Sequence, residues 1–148
     1  MAIEKSEKKI QLRVITPTQT KIDEEVDMVI MRCITGDMGV LPEHESYLCA
    51  LTDGVLRLIN RRRERRLAVF GGIAEISNDV LTVLTDEAHW PEEIDLDRVN
   101  EMREHLEQKV LEKADDQELL RDQAQLNRTL LKLDVAVFRS QSDFDDED

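Results

Sequence analysis

The sequence predicts an α+β fold in which a β domain of many short strands over residues 1–90 precedes an antiparallel two-helix hairpin over 91–139. Two observations carry this. All five glycines and all three prolines of the 148 residues lie before residue 92. Up to Pro91 the apolar residues recur at every second position between turn-forming residues, whereas beyond it they recur every three or four positions in a charged background. The first pattern describes half-buried strands and the second amphipathic helices.

The strands follow in order. Ile10, Leu12 and Val14 alternate with Gln11 and Arg13 until Thr16-Pro17 ends the run. Val26, Met28 and Ile30 alternate with Asp27, Val29 and Met31, which predicts one long strand largely covered on both faces near the middle of a sheet. Tyr47–Leu51 and Val55–Ile59 flank Thr52-Asp53-Gly54, and the Asp-Gly pair predicts a tight hairpin between them. Arg66–Phe70, Ile73–Ile76 and Val80–Leu84 are further strands, the last two joined by a turn at Ser77-Asn78-Asp79. So many short strands form a sandwich or a flattened barrel.

Leu96, Val99, Met102, Leu106 and Val110 share one face of the first helix, with Asp95 as its N-cap. Asp115-Asp116 interrupts the pattern, which resumes in a second helix at Leu119, Leu126, Leu130, Leu133 and Val137. Residues 140–148 are acidic and aperiodic and are expected to form a disordered tail. On the second helix Arg121, Arg128, Lys132 and Arg139 are spaced seven, four and seven apart, which aligns them in a basic stripe nearly opposite the leucines.

Charge and composition exclude several functions. Residues 1–91 carry 12 Lys and Arg against 15 Asp and Glu, so the remainder holds −10 of the formal charge of −13. That excess of acid argues against nucleic-acid binding, which depends on cationic neutralisation of phosphates. His44, His89 and His105 fall on different elements and form no metal-ligand motif. Ser46 near His44 lacks a nucleophile elbow, and Phe70-Gly71-Gly72-Ile73 lacks the Lys and helix of a phosphate-binding loop, so its glycines are expected at a bulge or a close backbone crossing. Neither catalysis nor a metal is expected.

Cys33 and Cys49 sit at no redox or metal spacing and are expected as buried free thiols. The N-terminal stretch has no apolar h-region and no run of about 18 apolar residues occurs, which predicts a soluble cytosolic protein without direct membrane insertion. The basic run Arg61–Arg66 falls where a strand must turn back and is expected at a solvated hairpin tip. Thr35–His44 is expected to be a loop exposing Met, Val and Leu between glycines and a proline, which suits a partner-binding edge.

Four motifs in order, Gly36-Asp37-Met38-Gly39-Val40-Leu41-Pro42-x-His44, Phe70-Gly71-Gly72-Ile73-Ala74-Glu75-Ile76, Val83-Leu84-Thr85-Asp86-x-Ala88 and Glu93-Ile94-Asp95-x-x-Arg98, closely resemble the ε subunit of F-type ATP synthase. The resemblance runs from about Gln11 to Arg139 and implies an antiparallel sandwich of ten strands followed by the helical hairpin. It further implies a non-catalytic rotor subunit at the cytoplasmic face of the cell membrane. The implied partners are the γ subunit, the c ring and the catalytic head of α and β subunits.

Carried onto this chain, the c-ring contact falls on Asp37, Met38, Leu41, Pro42 and His44. The hairpin is implied to fold down or to extend into the head and restrain hydrolysis, and the basic stripe then faces an acidic surface there. Some members bind ATP on the hairpin, for which this chain offers Asp95, Arg98, Arg128 and Lys132. The chain departs from that pattern with Val99 in place of Ala, His89 in place of an acid, His105 in place of an Arg, and Lys132 in place of the second Arg. Lys cannot reproduce the bidentate fork of Arg. A free adaptor and a stand-alone ATP sensor are the alternative readings.

Overall fold

β1 (Ile10–Ile15) forms where the alternation predicts it, with Ile10, Leu12 and Val14 fully buried. The computed structural model describes residues 8–112 and 116–145, with side chains to residue 138. Its chain divides into two compact units, residues 1–88 and 89–148. In the first unit β1 pairs antiparallel with β2 (Thr20–Val26) and runs parallel to β9 (Val80–Leu84). β3 (Met28–Cys33), β4 (Gly36–Val40), β5 (Tyr47–Leu51), β6 (Gly54–Asn60), β7 (Arg63–Val69), β8 (Gly72–Ser77) and the short β10 (Ala88–His89) complete a ten-stranded sandwich.

The strand order is β10-β7-β6-β3-β5-β8-β9-β1-β2, with β4 on β3. One half is joined to the other at β3–β5, where Cys33↔Leu51 is the sole register pair. The largest fully buried side chains, among them Leu12, Val29, Leu56, Leu58, Leu67, Ile76, Leu81 and Val83, come from both halves and form one core. Burying each such side chain stabilises the fold by about 1.5–3 kcal/mol.

Three expectations in this unit are corrected. The Asp53-Gly54 hairpin does not form, because β3 lies between β5 and β6. Thr52 N donates to Arg32 O at 3.2 Å, so the chain leaving β5 is bonded to β3. Gly54 is needed for packing: a Cβ there would lie 2.7 Å from Cβ of Arg32. The strand read across Val26 to Met31 is interrupted at Asp27, whose carboxylate accepts from Lys9 Nζ at 2.9 Å and from Arg61 N at 2.8 Å. β3 is central, as expected, but only Val29, Met31 and Cys33 on one face are fully buried. Half of the segment expected as a loop is β4, which returns along β3 from Cys33↔Gly36 to Val29↔Val40.

Arg61 and Arg62 form the expected hairpin tip between β6 and β7, both with positive φ (53° and 67°). Asn78 and Asp79, at 52° and 60°, make the corresponding turn between β8 and β9. Two left-handed residues match the twist of a two-residue hairpin.

In the second unit a 3₁₀ turn at Pro91–Glu93 precedes α1 (Leu96–Leu111) and α2 (Asp116–Asp145). Asp95 caps α1 by accepting from Arg98 N at 3.3 Å. The interruption expected at Asp115-Asp116 is met in part: α2 begins at Asp116, and Asp115 lies outside the described residues. α2 also runs six residues into the segment expected as a disordered tail, since no glycine or proline stops it. Residues 146–148 of that segment lie outside the described residues.

Candidate functional site

The first surface is the β4 edge and the turn after it. Asp37 stands opposite Arg32, whose Nε donates to its Oδ1 at 3.2 Å. Met38 is half-buried opposite Met31, and Val40 is fully buried. Leu41 is 53% exposed beside the half-buried Pro42. Glu43 adopts φ 67°, with its N–H donating to Asp79 Oδ1 at 2.6 Å and its carboxylate paired with Lys8. His44 is half-buried, its Nδ1 2.7 Å from Glu45 O. The apolar tip therefore reduces to Leu41, because pairing with β3 turns the strand's own apolar residues inward.

The second surface was not anticipated from sequence. Register across β5, β8, β9 and β1 sets Ala50, Ile73, Leu84 and Ile15 in one row. Ile73 and Leu84 are each 52% exposed, and Leu48 in the neighbouring row is 66% exposed. The same strands bury Ala74, Ile76, Leu81 and Val83 on their other face. Apolar residues on both faces signal a sheet covered twice, and here the chain itself covers one face. A hollow of about 400 Å³ bounded by Ile15, Pro17, Gly72, Ile73, Leu84 and Asp86 continues the row.

The glycine pair ends this surface. Gly71 and Gly72 have φ 66° and 122°, and a Cβ on Gly72 would lie 2.1 Å from the carbonyl oxygen of Leu84. This is the close backbone crossing expected of Phe70-Gly71-Gly72-Ile73.

The helical unit, taken by itself, holds a cleft of about 250 Å³ between the 3₁₀ turn, α1 and α2, lined by His89, Asp95, Arg98, Thr129 and Lys132 among others. Three of the residues expected to bind nucleotide thus converge, while Arg128 is exposed and His105 is not among the lining residues. Asp95 is already engaged as a cap. The volume falls below the roughly 300–1,000 Å³ usual for a ligand pocket.

The basic stripe is only partly realised. Arg121 and Arg128 are exposed, Lys132 is half-buried at the cleft, and the side chain of Arg139 lies outside those described. The buried positions of α2 include Asp122, Thr129 and Ala136, centred about 80° around the helix from the stripe, and Val135, about 40° to its other side, whereas Leu130 and Val137 are exposed. Leu119, Leu126 and Leu133 are half-buried, so the packed face is rotated away from the leucine line toward the stripe. Thr129 makes this possible by donating its hydroxyl to Gln125 O at 2.9 Å.

Among the described residues no cluster of His, Cys, Asp and Glu could hold a metal ion, and no helix is long and apolar enough to cross a membrane. A sandwich with an open apolar face, joined to a helical pair with charged outer surfaces, has the construction of a docking subunit. Comparison with known proteins gives that class a family. The model of the ATP synthase Delta/Epsilon chain β-sandwich domain matches residues 9–91.

An ATP synthase epsilon chain of Syntrophobacter fumaroxidans is 38% identical over 128 residues, covering 86% of this chain and 96% of that one. One from Caldicellulosiruptor saccharolyticus is 32% identical over 133 residues, covering 90% and 97%. The chain belongs to the ATP synthase delta/epsilon family, as a non-catalytic chain of the epsilon type. Its fold is shared with a chain in the Euglena gracilis mitochondrial ATP synthase OSCP/F1/c-ring structure, at TM-score 0.69, 22% identity, and 90% and 81% coverage. It is also shared with one in the Tetrahymena thermophila central stalk/c-ring structure, at TM-score 0.59, 11% identity, and 87% and 97% coverage.

Proposed function

We propose that the chain is the ε subunit of an ATP synthase central stalk, whose sandwich fastens the γ subunit to the c ring and whose helical pair restrains ATP hydrolysis by the α and β subunits. It works at the cytoplasmic face of the cell membrane, held there through the complex. The observation that carries this reading is the row of exposed Ala50, Ile73 and Leu84 with the half-buried Ile15 at its end and the exposed Leu48 beside it. An apolar sheet face open to water favours a permanent protein partner, and we assign it to γ. The turn with Leu41, Pro42 and His44, with Asp37 and Met38 on the strand before it, is assigned to the c ring.

Separate variants test the two assignments. Ile73→Glu with Leu84→Glu is expected to release the chain from γ, since a charge buried in an apolar contact has no partner. Leu41→Glu is expected to keep γ and loosen the c ring. Quantifying γ and c with each tagged variant in a detergent extract decides between them. Full retention of both partners by both folded variants would refute the assignments.

Arg121, Arg128 and Lys132 are proposed to hold the inhibitory state against an acidic surface of the catalytic head. Reversing Arg128 and Lys132 to Glu is expected to raise hydrolysis of the assembled complex at low salt. Added salt should narrow the difference, because exposed charges are screened beyond about 8 Å at physiological ionic strength. Equal inhibition of both forms at low salt would mean that the stripe only faces water. ATP is not assigned to the cleft: Lys132 supplies a point charge in place of a fork, and the space is small. This counts against the stand-alone sensor, and the open sheet face together with family membership counts against a free adaptor.

A further inference from the structure

Cys33 ends β3 and Cys49 lies inside β5, with 15 residues between them in sequence. Their Sγ atoms are 3.1 Å apart. Cys33 is 2% exposed, whereas Cys49 is half-buried. Backbone bonds on both sides hold the pair in place: Ile34 N donates to Ala50 O at 3.1 Å and Thr52 N to Arg32 O at 3.2 Å. Cys49 lies two residues from Leu51, the cross-strand partner of Cys33, so both thiols share one face. A disulfide needs its sulfurs about 2.05 Å apart, so closure asks for about 1 Å of side-chain movement.

We propose that Cys33 and Cys49 are an oxidative modification site, which a low-molecular-weight disulfide of the glutathione class converts to an intrachain disulfide joining β3 to β5. The more accessible Cys49 is the attacking sulfur. Burial pushes the Cys33 thiol up to about 12, so it keeps its proton at neutral pH and serves as the resolving group. The Cys49 thiolate attacks one sulfur of the small disulfide and expels a thiolate, forming a mixed disulfide. The sulfur of Cys33 then attacks that of Cys49, its proton passing to the second departing thiolate. One small disulfide and two protein thiols become one protein disulfide and two small thiols. The bond would lie where the two halves of the sheet share their single register pair.

The test uses the full reduced chain, equilibrated with mixtures of reduced and oxidised glutathione, quenched in acid, and read by maleimide thiol count and intact mass. The wild type is expected to lose both thiols together, with a mass lower by two hydrogens and no retained glutathione. Cys33→Ala should stop as one glutathione adduct, and Cys49→Ala should stay unmodified. The oxidised wild type should unfold in urea with an equilibrium constant on the order of 100-fold lower than the reduced form, as expected for closing a loop of this length. A wild type that stops at the glutathione adduct would overturn the proposal. So would one that stays reduced under ratios that oxidise the same chain unfolded in urea.

Discussion

A chain ending at Pro91 is expected to fold, to join its complex and to raise the complex's ATP hydrolysis severalfold. The expectation rests on where the core lies. The largest fully buried side chains run from Ile10 to Val83, all in the sandwich. In the helical unit only Pro91, Leu106, Val135 and Ala136 are buried apolar residues among those described, and Pro91 is kept in the truncated chain. The compact unit ends at Ala88, so truncation at Pro91 spares every long strand. Helices this sparsely apolar draw most of their stability from docking and little from their own packing. Such an element suits a brake that engages and releases. Circular dichroism of the truncated chain and hydrolysis by the complex carrying it give the two readouts. Loss of folding would place the helices in the core, and an unchanged hydrolysis rate would remove the brake.

Gly72→Ala is expected to destabilise the sandwich by about 3 kcal/mol, combining roughly 1–2 kcal/mol for a left-handed backbone with 1–3 kcal/mol for forced displacement. The added Cβ would meet backbone on β9 and just after it: Leu84 O at 2.1 Å, and Leu84 C and Thr85 Cα at 3.0 Å. Thr85 cannot yield cheaply, since its buried hydroxyl bonds Phe70 O and its N–H donates to Ile15 O at 3.1 Å. Gly36→Ala is the control, because φ there is 124° but nothing lies within 4 Å of the new Cβ. Urea unfolding of both should give a midpoint loss at Gly72 well above that at Gly36. Equal losses would mean that backbone angle alone requires these glycines.

Alternation made β1 and β9 legible to the residue, and a capping Asp before a helical period located the start of α1. Legibility ended where partners come from far along the chain. β2 carries Lys21, Asp23, Glu24 and Glu25 and buries only Ile22 and Val26, so its strand character comes from pairing with β1. Asp53-Gly54 has the composition of a hairpin, yet both flanking strands find better partners in β3, β7 and β8. The motif from Gly36 to His44 reads as a loop because of its glycines and proline, yet half of it is strand. The apolar row could not be read at all, because Ile73 and Leu84 resemble core residues until register places them on the outer face. Cys33 and Cys49 likewise meet only through the β3–β5 crossing.

The most direct measurement is the recovery of partners with the tagged chain from a mild detergent extract, quantified by subunit. The account predicts γ, α, β and c in fixed proportion to the chain, with each partner lost together on dissociation of the complex. Recovery of the chain alone, or with proteins outside the ATP synthase, would contradict it.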